Sequence, residues 1–285
     1  MTDAKKHVAL VCPGGPVTRD LADKVVEIAA AHCGEQGQLH FHDQCFLTAG
    51  HFAGNDDERS AAFLDVANDP KYDAVWFARG GYGACRLNET LFDKLNDRAR
   101  RKTYLGYSDA GMILARLYKD GIGKPVHGPM PTDMARKDGE YAIGRALDYL
   151  IQSDTNTLEK TIASGNKTVA FNITVLSHMI DTDWAPDLAG HIVMLEDVSE
   201  YLYSIDRSMF TIMSSSKMKK AAGVRLGRIS DVPENDRPFG QTAEEIVQDW
   251  CERSNVPYLG RADIGHDADN KVVPFGAWPV RQSSA

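Results

Sequence analysis

The sequence predicts an α/β protein with an N-terminal parallel-sheet domain and a smaller C-terminal domain of α/β or β-rich type. Short apolar runs, such as residues 8–12 and 74–77, have the length and continuity of strands that are buried on both faces of a parallel sheet. Segments with helical periodicity alternate with these runs, which indicates right-handed β-α-β crossovers. After residue 153 the sequence turns polar, with Thr, Ser, Asn and Gly, which indicates a boundary.

The elements of the first half follow from this alternation. The clearest helix start is at Asn55 or Asp56, either of which is a good N-cap before a first turn rich in acids. We expect strands at residues 7–12, 39–42, 73–77, 102–105 and 125–127, and helices at 20–31, 55–67, 84–95, 109–119 and 132–151.

The second half is predicted to be a separate unit. We assign residues 1–153 to the N-terminal domain, 154–167 to a linker and 168–285 to the C-terminal domain. The clearest strand of the C-terminal domain, at 190–196, ends in an acid. Further strands are expected at 224–227 and 256–259, and helices at 205–213 and 242–253.

The composition argues against several classes of function. The 285 residues carry a net charge of −8, which disfavours a general partner of nucleic acid or of an anionic membrane. There is no run of about 18 apolar residues that would span a membrane, and the apolar run near the N-terminus is too short for a signal peptide. Five scattered cysteines without a CxxC pair fit a reducing cytoplasm.

No cofactor or metal is expected. The glycine-containing turn at 13–16 follows the first strand, but the motifs GxGxxG and GxxxxGK[ST] are both missing. His40 and His42 would share one side of a strand, yet no further ligands are obvious nearby, so we interpret them as surface histidines.

Two turns are the strongest candidates for a site. A Gly-rich turn, Arg79 to Gly83, and a serine turn around Ser108 follow neighbouring predicted strands. The carboxyl ends of parallel strands meet at one edge, where open α/β sheets bind ligands. Ser108 has the place of a nucleophile elbow, and the next N–H, of Asp109, would face an oxyanion. A second donor is expected from the Gly80-Gly81 turn, because glycine allows close backbone approach.

A structural alternative exists for the serine. Ser108 followed by Asp109 before an amphipathic helix is also a good N-cap. The full G-x-S-x-G pattern is missing, since Ala110 occupies its last position.

A serine nucleophile needs a base that is oriented by a carboxylate. Among nine histidines, His266 is favoured because it follows a glycine in an acid-rich loop. His127 also ends a strand, and His178 and His191 lie in or beside apolar runs, where we expect core histidines. For the carboxylate, Glu196 at a strand end is favoured. Its competitors are Asp197 and Glu200.

These residues resemble the LD-carboxypeptidase family of serine peptidases, which includes the microcin C immunity peptidases. The likeness runs from about residue 7 to about residue 280. It rests on FAGNDDER at 52–59, ARGGYG at 78–83 with Arg86-Leu87, GYSD at 106–109, HGPM at 127–130, LEDV at 195–198 with Glu200, IDR at 205–207, and Gly265-His266 followed by Asn270 and PFG at 274–276.

The resemblance implies roles for single residues. It makes Ser108 the nucleophile, His266 the general base and Glu196 the triad carboxylate, with the backbone N–H groups of Gly81 and Asp109 as oxyanion donors. The site would lie between an N-terminal domain that carries the serine and a C-terminal domain that carries Glu196 and His266. A homodimer is commonly found in the family, and no metal or cofactor is implied.

The resemblance also implies an activity. The family removes a C-terminal D-amino acid from an L,D-peptide bond, usually D-alanine from murein tetrapeptide during cytoplasmic cell-wall recycling. Arg79 is a candidate for binding a substrate carboxylate, because its planar fork matches one. A structural ion pair is the alternative role for Arg79.

Two departures from the family pattern concern the pocket. The first turn reads Pro-Gly-Gly-Pro at 13–16 where the family usually has Pro-Ser-Gly-Pro, and Phe171-Asn172 replaces a more Gly-rich segment. The alternative enzyme function is therefore a serine peptidase or amidase of the same fold that acts on a peptide-nucleotide or other modified peptide. The non-enzymatic alternative is a module that binds a small ligand and in which Ser108 is only a helix cap.

Overall fold

The first half of the chain builds a parallel sheet. The computed structural model describes residues 5–277, except the side chains of residues 163 and 164. The strands of this sheet are β1 (Lys6–Val11), β2 (Gly37–Phe41), β3 (Ala74–Phe77), β4 (Thr103–Gly106), β5 (Lys124–His127) and, from far along the chain, β10 (Val273–Pro274). Their order is β10-β5-β4-β3-β1-β2, and only β10 is antiparallel to its neighbour.

The second half builds another sheet of the same kind. Its strands are β6 (Lys167–Asn172), β7 (His191–Val198), β8 (Gly223–Ser230), β9 (Tyr258–Arg261) and β11 (Gly276–Ala277). Their order is β11-β6-β7-β8-β9, with only β11 antiparallel. The predicted α/β fold with two units is confirmed. The boundaries at 153 and 168 stay a prediction, and β10 of the second half joins the first sheet.

Helices cover both sheets. They are α1 (Arg19–Cys33), α2 (Asp56–Asn68), α3 (Gly111–Lys119), α4 (Gly139–Leu147), α5 (Ile173–Met179), α6 (Leu202–Ser214) and α7 (Ala243–Arg253). No helix within residues 5–277 combines the length and the apolar character needed to cross a membrane.

The apolar core has two main layers because side chains alternate along each strand. In β1, Val8 and Leu10 belong to the cluster that contains α1 and α4, whereas Ala9 and Val11 belong to the cluster of α2 and α3. This second cluster continues through α5 into the second sheet. One contiguous core therefore joins the two halves.

Two predicted helices differ from the structure. Residues 84–95 form short 3₁₀ turns instead of an α-helix, because the Asn88 side chain accepts a hydrogen bond from the Thr90 N–H and begins a new turn. The predicted helix 132–151 is interrupted before α4, where Asp138 has a left-handed φ of 60°.

The start of α2 gives a stability prediction. Asn55 caps the helix by accepting from the Glu58 N–H at 2.9 Å, while the Glu58 carboxylate accepts from the Asn55 N–H at 2.7 Å. Asn55→Ala should lower the free energy of unfolding by about 1 kcal/mol, because the cap is lost. Urea unfolding measures this value. Glu27→Ala, on an exposed face of α1, is the control, and an equal effect of both substitutions would contradict the prediction.

Candidate active site

Ser108 lies in a sharp turn between β4 and α3. Its φ of 56° is left-handed, which is uncommon for a residue with a side chain. Residues 108–110 form a 3₁₀ turn that leads into α3. Ser108 is half-buried, and within the described chain its side chain caps neither this turn nor α3. The N-cap interpretation is therefore wrong, and the strand-turn-helix geometry is that of a nucleophile elbow.

The Gly-rich turn lies directly against Ser108. A Cβ added to Gly80 would come within 3.0 Å of both Cβ and Oγ of Ser108, so a larger residue there would press on the serine side chain. The next residue, Gly81, has a φ of 88°. The two turns predicted to share one sheet edge do meet. The role of the Gly81 and Asp109 N–H groups as oxyanion donors stays a prediction.

Glu196 and His266 form a buried hydrogen-bonded pair. The Nδ1 of His266 lies 2.6 Å from Oε2 of Glu196. Glu196 is 0% exposed and His266 is 7% exposed. Such a bond holds the imidazole in one orientation and leaves its Nε2 to exchange a proton with a nucleophile.

A glycine of β8 makes room beside Glu196. The register between β7 and β8 shifts here, because Glu196 alone lies between Leu195 and Asp197 while two residues of β8, Gly227 and Arg228, lie opposite it. A Cβ at Gly227 would come within 2.6 Å of the Ile264 carbonyl oxygen and 3.0 Å of the Glu196 Cβ. The glycine therefore allows the segment before the histidine to approach the carboxylate.

The loop that carries His266 is tied to the second sheet by Arg228. This side chain of β8 donates to Asp263 at 2.6 Å and also to Asp267, on either side of the histidine. The two ion pairs bracket the loop, which restricts the position of the imidazole.

The same loop is also tied to the first half of the chain. Arg145 of α4 donates to the Asn270 carbonyl at 3.1 Å. The Asn270 side-chain oxygen accepts from the Gly265 N–H at 3.2 Å and lies 3.0 Å from Nε2 of His127. Burial lowers the pKa of His127 to about 4, so this imidazole is neutral at pH 7 and serves as a donor to Asn270.

Tyr107 places the histidine beside the serine turn. Its ring centroid lies 4.6 Å from that of His266, and its hydroxyl donates to Asp133 at 2.6 Å. Arg136 donates to the same carboxylate oxygen at 3.2 Å.

Within residues 5–277 no hydrogen bond joins Ser108 to His266. Catalytic hydrogen bonds are often long before substrate binds, so the predicted roles of Ser108 as nucleophile and His266 as base stay predictions.

The competing residues have other partners. The His191 imidazole is buried against the Tyr118 hydroxyl at 2.8 Å, whereas His178 is exposed at the end of α5 and not in the core as expected. Asp197 accepts from the Asn172 amide and the Thr174 N–H.

Glu200, the other competing carboxylate, accepts from the Ser204 hydroxyl at 2.7 Å. Of the three acids, Glu196 is the one that bonds the His266 imidazole. The structure therefore distinguishes between acids that the residues alone left open.

Arg79 is exposed beside the Gly-rich turn. Its Nη1 donates to the Pro16 carbonyl at 2.7 Å. Among the described residues no acid lies within ion-pair distance of it, so the alternative of a structural ion pair is not observed. A role in substrate binding stays a prediction.

Sequence reasoning missed three supporting residues. Tyr107 and Asn270 lie within or beside the family motifs, but nothing in their spacing indicated that they contact His266 or its loop. Asp133 was expected at a helix start. It instead accepts from the Met130 N–H at 2.8 Å as well as from the tyrosine.

Two opposing effects set the proton affinity of His266. Burial disfavours the imidazolium and lowers the pKa, whereas the charge of Glu196 and its hydrogen bond raise it, and the pKa ends above the ordinary 6.5. Arg136 lowers it and Asp133 raises it by smaller amounts. Among the described residues no group of three or more His, Cys, Asp or Glu side chains is arranged to hold a metal ion.

Glu196→Gln should move the titration of His266 to lower pH. Without the carboxylate charge, burial dominates, so the midpoint should fall from above 6.5 to below it. NMR of the histidine Cε1 protons measures the midpoint, and the missing signal in His266→Asn identifies the residue. Asp197→Asn, at the neighbouring buried carboxylate, is the matched control and should change the midpoint little. An unchanged midpoint in Glu196→Gln would contradict this assignment.

Comparisons with known proteins identify the family of this chain. Residues 8–128 match the LD-carboxypeptidase N-terminal domain and residues 166–279 match the LD-carboxypeptidase C-terminal domain. The chain is 33% identical over 236 residues to slr1534 of Synechocystis sp., which is provisionally named a carboxypeptidase. The match covers 80% of this chain and 76% of that protein. It is also 25% identical over 295 residues to the murein tetrapeptide carboxypeptidase of Pseudomonas aeruginosa. That match covers 98% of this chain and 94% of the relative.

Solved structures have the same fold. The muramoyltetrapeptide carboxypeptidase of Oxalobacter formigenes is 26% identical, with a TM-score of 0.78 over 94% of this chain and 93% of that one. MccF in complex with glutamyl sulfamoyl guanosine has a TM-score of 0.74 over 95% and 91% at 14% identity, which shows the fold alone. With both domains matched and a relative above 30% identity, the chain belongs to the LD-carboxypeptidase family of serine-type hydrolases.

Proposed function

We propose that this enzyme hydrolyses an L,D-peptide bond of a murein tetrapeptide and releases its C-terminal D-alanine. The observation that carries the proposal is the buried His266–Glu196 pair, 2.6 Å apart, next to the left-handed turn of Ser108. The names of the relatives from Pseudomonas aeruginosa and Oxalobacter formigenes support the substrate class.

The proposed reaction has two halves. Ser108 Oγ attacks the scissile carbonyl carbon while Nε2 of His266 takes its proton, and Glu196 stabilises the imidazolium. The N–H groups of Gly81 and Asp109 stabilise the oxyanion. The C–N bond then breaks, His266 returns the proton to the amine of D-alanine, and an acyl-enzyme remains. Water, deprotonated by His266, attacks this ester and restores the serine.

The substrate carboxylate has a candidate partner in Arg79. The guanidinium is exposed beside Gly80 and uses one N–H for the Pro16 carbonyl, which leaves donors for a carboxylate. The bond to Pro16 restrains the side chain, so less conformational entropy is lost when a ligand binds.

The setting is inferred from the family relationship. We infer that the enzyme acts in the cytoplasm on peptides from cell-wall turnover, and that it forms a homodimer. The net charge of −8 supports a peptide substrate over nucleic acid or an anionic membrane as partner.

Ser108→Ala and His266→Ala should each lower kcat for release of D-alanine by roughly 10⁴-fold or more, because the nucleophile or its base is lost. Mass spectrometry of L-Ala-γ-D-Glu-meso-diaminopimelate-D-Ala incubated with each protein measures the release. Ser153→Ala is the matched control, since Ser153 is an exposed serine with the same φ of 56°.

Three outcomes would change the proposal. Activity retained by Ser108→Ala would exclude the serine mechanism. A folded wild type that cleaves an aminoacyl-adenylate analogue but no murein peptide would shift the assignment to a peptide-nucleotide substrate. If the wild type cleaves neither and Ser108 reacts with no serine-directed phosphonate, the chain would be a binding module.

Arg79→Ala should raise KM for the tetrapeptide about tenfold or more and change kcat little, because the contact is made equally in the ground state and the transition state. Steady-state kinetics separate the two constants. A matched test uses the substrate with a C-terminal amide. If Arg79→Ala raises KM by the same factor for the amide substrate as for the acid, Arg79 does not bind the carboxylate.

A further inference from the structure

The Gly-rich turn that faces Ser108 has little intrinsic restraint. It contains Gly80, Gly81 and Gly83, and the last two have φ values of 88° and 141°. Glycine adopts such angles as readily as others, so the local sequence does not fix the direction of each peptide group. An oxyanion donor must nevertheless be oriented before the reaction. Contacts from outside the turn must therefore orient it.

One peptide group of this turn is held from both ends. The N–H of Ala84 donates to Oδ2 of Asp109 at 2.8 Å, and the carbonyl of Gly83, in the same peptide group, accepts from Nη1 of Arg59 at 2.9 Å. Asp109 is 4% exposed and Arg59 is 1% exposed. Bonds to charged partners in a buried place are stronger than neutral ones, so the plane of this peptide is fixed.

The start of the turn is held by a second backbone segment. The Gly15 N–H donates to the Gly80 carbonyl at 3.5 Å, and a Cβ at Gly14 would come within 2.6 Å of the same oxygen. Arg59 also donates to the Pro13 carbonyl. One buried guanidinium thus links the Gly-rich turn to the turn after β1.

Asp109 connects the two turns of the site. Its backbone lies in the serine turn, directly after the nucleophile, while its carboxylate reaches the end of the Gly-rich turn. Burial raises the pKa of this carboxyl to about 6, against the lowering effects of the Ala84 hydrogen bond and Arg59. The mechanism proposed above uses only the backbone of Asp109, so the buried carboxylate has no role in it.

We propose that the carboxylate of Asp109 is a positioning group for the oxyanion hole. It holds the Gly83–Ala84 peptide and thereby sets the direction of the Gly81 N–H relative to the N–H of Asp109. The inference rests on the proposed function, in which these two N–H groups stabilise the oxyanion.

The test compares two substitutions of Asp109. Asp109→Ala removes the acceptor and is expected to lower kcat about 10²-fold with KM within about threefold, because the donors act mainly in the transition state. Asp109→Asn retains an acceptor oxygen and is expected to recover most of this loss. A purely structural role would not separate kcat from KM in this way.

Two further variants separate positioning from loss of stability. Ile113→Val removes a buried methyl from α3, the helix that follows the serine turn, without touching the Gly-rich turn, and should retain kcat. Arg59→Gln acts on the carbonyl of the same peptide and should reproduce part of the loss. If Asp109→Ala does not fold, the activity of Arg59→Gln tests the proposal instead. Thermal melts verify the fold of each variant.

The rate at which a fluorophosphonate labels Ser108 gives a second readout that needs no peptide substrate. Its reaction also places a negative oxygen in the hole, so Asp109→Ala should slow it. The inference is overturned if folded Asp109→Ala and Arg59→Gln keep kcat and the labelling rate within twofold of wild type, or if Asn is no better than Ala. Labelling without cleavage of murein peptide would remove the substrate assignment only, and the labelling rates would still decide the inference.

Discussion

The hydrogen bond between His266 and Glu196 is the constraint to which the rest of the site conforms. A carboxylate with no exposed surface is costly in a protein interior unless a partner compensates for lost hydration. Oε2 has that partner, whereas Oε1 accepts no hydrogen bond from the residues described. The imidazole is therefore needed for the burial of Glu196, and the same bond decides which ring nitrogen is left for the serine. In the proposed mechanism, stability and catalysis therefore depend on the same contact.

This bond has consequences for how the two halves pack. Glu196 belongs to the second sheet and Ser108 to the first, so the site exists only when the sheets are docked. The continuous core through α3 and α5 supplies the docking energy, since apolar burial is the main stabilising term. The loop of His266 is held by Arg228 from one side and by Arg145 and Asn270 from the other. Neither half alone fixes the histidine.

Much of the fold could be predicted because buried parallel strands are short and continuously apolar. The serine turn was also predictable, since a glycine and a serine follow such a strand. The choice of Glu196 over Asp197 was not, because the two acids are adjacent at one strand end and only the packing of the loop that carries His266 decides which carboxylate the imidazole contacts. The residues alone left that choice open, and the family resemblance made it. The role of the Asp109 side chain was missed because its partner, the Ala84 N–H, belongs to the backbone.

The two shortest strands determine when the enzyme becomes complete during synthesis. β10 closes the first sheet against β5, and β11 closes the second against β6. The first sheet is complete only after residue 274 has been synthesised, and the second only after residue 277. His266 is synthesised more than 150 residues after Ser108. A nascent chain that already contains the serine turn therefore still lacks the docked histidine loop. In the proposed mechanism, a partly made chain is therefore unable to hydrolyse a peptide, because its general base arrives last.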